Sequence, residues 1–130
     1  MGQQQLLLIV LGVIVVGIAV VVGINLFNAN AVSSNRDGVV SDLNNLGAMA
    51  QQFYKKPVSM GGGGNTFTGG DGWELPLELD TTANGIYVLT TPAAQQVVIT
   101  GTGTENASNG SKIVHTATVG PTAITVVKTN

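Results

Sequence analysis

The chain lacks cysteine altogether, holds a single histidine, and has only five basic residues among 130. Without cysteine there can be no disulfide staple, no thiol nucleophile and no thiolate metal site. One imidazole, His115, excludes the usual zinc and Ser-His-Asp chemistries unless another subunit completes the site. Five basic side chains within a formal net charge of −2 exclude the electrostatic footprint of a nucleic-acid binder. Charged residues reach 9%, against roughly 25% in an ordinary soluble domain. Aromatics supply only 5% of the chain while hydrophobic residues make up 44%, so the apolar content is aliphatic. These shortages point away from an enzyme, and no catalytic residue, cofactor or metal ligand set is assigned. The length leaves room for one domain.

What is present divides into two halves. No charged side chain precedes Arg36, and all fourteen threonines follow residue 65. Leu6 to Ile24, LLLIVLGVIVVGIAVVVGI, is a run of 19 residues with nothing polar in it. As a helix it measures about 28 Å, close to the hydrocarbon thickness of a bilayer. It is too long for the apolar region of a signal peptide, and no small-residue cleavage site follows it. A helix apolar all round must be buried in lipid or in protein. Gly12, Gly17 and Gly23 punctuate it at spacings that do not match GxxxG.

The first proline is Pro57, so nothing breaks the helix earlier. Val32, Val39, Leu43, Leu46, Ala50 and Phe53 fall on one face of an amphipathic continuation, with Ser41, Asn44, Asn45, Gln51 and Lys55 opposite. Arg36 interrupts that face and is expected to snorkel along its edge. The spacing predicts one helix over about 4–56, roughly 80 Å long. Asn25, Asn28, Asn30, Ser33 and Ser34 make the junction its weakest stretch, where local unwinding is expected. Residues 1–30 therefore read as a hydrophobic helix, and 31–130 as a head.

Ser59 to Gly72 contains seven glycines and reads as a flexible, outward-facing connector; no Lys-Ser or Lys-Thr closes it as a phosphate loop requires. Trp73 to Leu79, interrupted by Pro76, is at best an edge strand. Two hairpins follow: Ile86–Thr91 with Gln96–Thr102 around Pro92-Ala93-Ala94, and Lys112–Val119 with Ala123–Lys128 around Gly120-Pro121. The segment 103–111 between them reads as an exposed linker. The fold class is α+β: a long N-terminal helix whose amphipathic half, through Val39, Leu43, Leu46 and Phe53, carries a small antiparallel sheet.

A charge-free start, GQQQLLLIVLG, then an amphipathic continuation, a glycine-rich loop and a threonine-rich sheet resemble the type IV pilin superfamily. The opening residues are similar to a group of uncharacterised bacterial pilin-like proteins. The motif covers about 55 residues, and the rest resembles pilins only in architecture. Two positions depart from the family: Gln5 stands where pilins usually carry Glu, and Val22 where many carry a helix-breaking Pro. Archaeal pilins, which often start with Gln and lack that Pro, are similar too. If processing follows Gly2, Gln3 becomes the first residue and Leu7 the fifth.

The resemblance implies a homo-oligomeric filament whose core contains Gln5, Leu6, Leu8, Ile9, Val13, Val16 and Val20. It implies a single pass of the inner membrane before assembly, and prepilin peptidase and the pilus assembly machinery as partners. The filament is then extracellular, serving attachment or motility. The alternatives are a minor pilin or secretion pseudopilin, or a membrane-anchored binding domain that never polymerises. Gln5, a neutral amide where the family has a carboxylate, implies a filament core nearly indifferent to pH between about 3 and 6, where a Glu would titrate.

Three smaller features complete the reading. His115 shares a strand face with Ile113, Ala117 and Val119 and reads as a hydrogen-bonded sheet residue. Asp71, Glu74, Glu78 and Asp80 read as solvated loop charges without EF-hand spacing, although pseudopilins can bind calcium in such loops. Asn106 and Asn109 head N-x-S sequons and are candidate glycosylation acceptors.

Overall fold

The computed structural model describes residues 2–130; Met1, and with it the choice of a mature start at Met1, lies outside them. One helix, α1, runs unbroken from Gly2 to Lys55, 54 residues, or about 80 Å. The expected unwinding at the junction does not occur. Asn and Ser weaken a helix by only some tenths of a kcal/mol each, and both flanks are strong helix, so breaking hydrogen bonds there would gain nothing.

Every residue from 2 to 30 is exposed, and burial begins only where the sheet covers α1. On that stretch Asn35, Val39, Leu43, Leu46, Gly47 and Ala50 are buried, a stripe of three- and four-residue steps that faces one partner layer. Val32, Phe53 and Tyr54 pack at its margins.

The partner layer is a four-stranded antiparallel meander in the order β1-β2-β3-β4, with β1 Gly85–Ala93, β2 Gln96–Asn106, β3 Lys112–Val119 and β4 Ile124–Lys128. Each strand pairs with its neighbour in the chain, because the connections, Ala94–Gln95, 107–111 and Gly120–Ala123, are all short reversals. Alternation sends Tyr87, Val97, Ile99, Ile113, Ala117 and Val119 toward α1, and all are buried. The outward face carries Thr100, Thr102, Thr116 and Thr118, partly exposed. The α+β architecture is the one expected from the sequence.

β2 is longer than expected and takes in Gly103 to Asn106. The cause is Asn35, whose Oδ1 accepts from the main-chain N–H of Thr104 at 3.0 Å and of Glu105 at 3.2 Å. Only residues 107–111 turn. Trp73 to Leu79 forms no strand; instead Trp73 is buried in the core, and Leu75 and Leu79 pack partly buried against that core.

The glycine-rich segment departs most from expectation. It is a plug over the end of α1 and not a flexible connector. The main-chain N–H groups of Gly63, Asn65 and Gly64 donate to the carbonyls of Phe53, Tyr54 and Lys56 at 2.8, 2.7 and 2.9 Å. These satisfy acceptors that a helix terminus otherwise leaves orphaned. A β-carbon on Gly63 would collide with the Thr66 carbonyl, so glycine permits the close approach. Phe67 is 0% exposed, its ring 4.9 Å from that of Tyr54, and its N–H donates to Ala94 at 2.9 Å. The plug thereby ties the helix end to the β1–β2 turn.

Candidate assembly surface and polar anchors

The first half of α1 presents a bare apolar surface. Leu6, Leu8, Ile9, Val13, Val16 and Val20 are all exposed, and the fifteen Leu, Ile and Val residues from Leu6 to Ile24 are 51–69% exposed. Gln5 is exposed as well. An added β-carbon at Gly12, Gly17 or Gly23 would meet nothing within 4 Å, so no contact inside the chain requires those glycines. By length and composition α1 is able to cross a membrane, with none of its most apolar window buried.

Beyond this surface, polar groups along α1 fasten the head to it: Gln51 and Tyr54 near its end, and three anchors farther back, of which the sequence disclosed only that His115 is hydrogen-bonded. His115 is buried on β3. Arg36 Nη1 lies 3.4 Å from its Nε2 and donates to the Asn130 main-chain oxygen at 2.8 Å. A guanidinium can only donate, so Nε2 accepts and the imidazole proton sits on Nδ1. Arg36 therefore clasps the segment that follows β4 and does not snorkel into water. Burial, then the positive charges of Arg36 and Lys128, lower the His115 pKa below its ordinary value.

The second anchor is Asp42. Its Oδ2 accepts from Tyr87 Oη at 2.6 Å, Thr82 Oγ1 at 2.9 Å and Asn84 Nδ2 at 3.1 Å. Burial pushes the Asp42 carboxyl upward, but the three donors outweigh it and hold it below the usual carboxylate range. Burial, reinforced by the bond to Asp42, raises the Tyr87 phenol. A tyrosine on the inward face of a strand needs a partner for its hydroxyl, and that is the signal from which Asp42 could have been sought. The third anchor is Asn35, which also donates through Nδ2 to the Asn84 carbonyl at 2.7 Å. Its sign was a polar residue on the apolar stripe, one turn before Val39.

Two of the shifted groups, His115 and Asp42, make the head acid-sensitive. His115 titrates below its unfolded value of about 6.5, so as pH falls through that value the unfolded chain takes up a proton first and stability declines. The lowered Asp42 contributes stability above the unfolded Asp value of about 3.9 that is lost as pH falls toward its folded pKa. The urea midpoint, followed by fluorescence of the lone Trp73, is expected to drop in two stages. His115→Gln should abolish the upper stage and spare the lower; an unchanged upper stage would refute the assignment.

Asn106 and Asn109 are both exposed. Asn109 is engaged within the fold: Nδ2 donates to Asn130 Oδ1 at 2.7 Å, and Oδ1 accepts from the Ser111 N–H at 3.0 Å. Asp71, Glu74 and Glu78 are exposed and Asp80 is half-buried. Among the described residues no group of three or more His, Cys, Asp or Glu is placed to hold a metal ion. Compared with protein-family models, curated proteins and solved structures, the chain matches none of them.

Proposed function

We propose that this chain is the structural subunit of an extracellular type IV pilus-like filament, built through its N-terminal helix and serving surface attachment or motility. The observation that carries the reading is the bare apolar half of α1. Removing its fifteen half-exposed aliphatic side chains from water stabilises by on the order of 1 kcal/mol each. The sum rivals the whole stability of an ordinary domain, about 5–15 kcal/mol. A bilayer satisfies this surface before assembly. Outside the membrane only other copies of the same helix can do so, through head-to-tail contacts that do not close into a ring.

Electron microscopy of material shed from native cells tests the reading. Abundant long filaments composed of this chain support it. Scarce short fibres would indicate a minor pilin or pseudopilin, and a monomer confined to membranes would indicate an anchored binding domain. Gln5 supplies a second arm. Its amide can accept from an amine and donate to a carbonyl, each bond contributing about 1 kcal/mol. Gln5→Glu is expected to permit assembly but to add loss of sedimentable filament between about pH 3 and 6, beyond the head's own acid response in the parent protein. Gln5→Ala is expected to lower yield only modestly. Equal pH profiles for the parent and Gln5→Glu would exclude a core position for this residue.

A further inference from the structure

We propose that Asn106, and not Asn109, is the N-glycan acceptor of this head. The proposal draws on the filament reading only for a head that faces out of the membrane. Asn106-Ala107-Ser108 and Asn109-Gly110-Ser111 are both N-x-S sequons, so the pattern alone favours neither. The surroundings of the two amides differ.

The reaction joins an amide nitrogen to the anomeric carbon of an oligosaccharide carried on a lipid pyrophosphate. The new N–C bond replaces the C–O bond to phosphate, and the lipid pyrophosphate leaves. One amide proton passes to a base of the transferase, and nothing is oxidised or reduced. The acceptor must therefore present its nitrogen with both hydrogens within reach of that enzyme.

Among the described residues the Asn106 amide has no hydrogen-bond partner, whereas that of Asn109 donates to Asn130 Oδ1 at 2.7 Å. The Asn109 oxygen is taken too, by the Ser111 N–H at 3.0 Å. Asn130 cannot follow if Asn109 turns away, because it is held at three further points. Its Nδ2 donates to the Lys112 carbonyl at 2.6 Å, its oxygen accepts from Arg36 at 2.8 Å, and its N–H donates to Val114 at 3.0 Å. Modifying Asn109 thus sets two native bonds at risk, and modifying Asn106 none. Asn106 closes β2 opposite Lys112, and both it and the sequon hydroxyl residue Ser108 are exposed.

There is also room for the sugar. Asn106 lines a hollow of about 600 Å³ between α1 and the β2–β3 turn. On its α1 side Asn25, Asn28 and Ser33 offer amides and a hydroxyl, beside the aliphatic Ala29 and Val32. A sugar presents the matching mixture of hydroxyls and C–H face. The only charged residue in the lining is Arg36, whose guanidinium already bonds Asn130, so a neutral sugar strands no charge. Glycans are bulky and belong on surfaces, and this one extends from the hollow into solvent.

Full-length protein taken from its native host, filamentous or membrane-bound, is weighed intact and its glycopeptide is sequenced by mass spectrometry. The parent chain is expected to be heavier than its sequence by a whole number of sugar residues, all on Asn106. Asn106→Gln and Ser108→Ala should each return the mass to that of the bare chain, and Asn109→Gln should keep the added mass. An unmodified parent, sugar on Asn109, its transfer to Asn109 in Asn106→Gln, or its retention in Ser108→Ala would each overturn the assignment. Unmodified filaments would do so while leaving the filament reading standing. A chain glycosylated on Asn106 but confined to membranes as a monomer would uphold the acceptor and overturn the filament.

Discussion

Residues 31–130, produced alone, are expected to be a soluble folded monomer, and Leu43→Asp within them is expected to unfold it. Among the described residues nothing before Ala31 is buried, so truncation removes no core residue of the head and deletes its bare apolar surface. Leu43 is fully buried between α1 and the sheet. Replacing it forfeits about 1.5–3 kcal/mol of transfer energy and forces a carboxyl into a space without a donor, a further penalty of a few kcal/mol. The total is several kcal/mol, comparable with the whole stability of a small domain. Loss of the cooperative Trp73 fluorescence transition at neutral pH is the expected reading. A folded Leu43→Asp head would mean that the sheet packs elsewhere on the helix.

Asn35→Ala is expected to cost about 2–4 kcal/mol: three polar groups lose their partner at roughly 1–3 kcal/mol each when left unsatisfied, but Thr104 and Glu105 are exposed and water replaces part of their loss. The three are the N–H groups of Thr104 and Glu105 and the carbonyl of Asn84. Asn35→Asp should be milder, because a carboxylate keeps both acceptor contacts and loses only the donor. Asn35→Leu should be at least as harmful as Ala: a β-carbon on the facing Gly103 would already collide with Asn35 Oδ1, and a branched side chain has no space there. Denaturant midpoints of the three variants check the order. A midpoint for Asn35→Ala equal to the parent's would remove Asn35 from the anchors.

The elements visible in the sequence are those in which one face differs from the other. The stripe from Val39 to Ala50 and the alternation of β2 and β3 both record which side meets the core. Both hairpins were legible from Pro92 and Gly120-Pro121 because a turn has local chemistry. The plug was not, because its specificity lies between backbones: Gly63 against the Thr66 carbonyl leaves no side-chain pattern to read. Asp42 with Tyr87, and Asn35 with Thr104, join residues 45 and 69 apart in sequence, so neither appears in any local window. The bare helix was legible in full, since a run without polarity needs no partner to be recognised.

The meander has a kinetic consequence. Each strand finds its partner across a short turn, and hairpins of this kind close in about 1–10 μs. Docking of the sheet on α1 joins residues as distant as Arg36 and Asn130, 94 positions apart, and loop closure over such separations is slow. During synthesis α1 exists well before β4, so the stripe from Val39 to Ala50 stays uncovered until the last strands emerge. The interval in which a nascent chain offers two apolar surfaces at once is thus set by translation of its final strands, with hairpin closure far too fast to limit it.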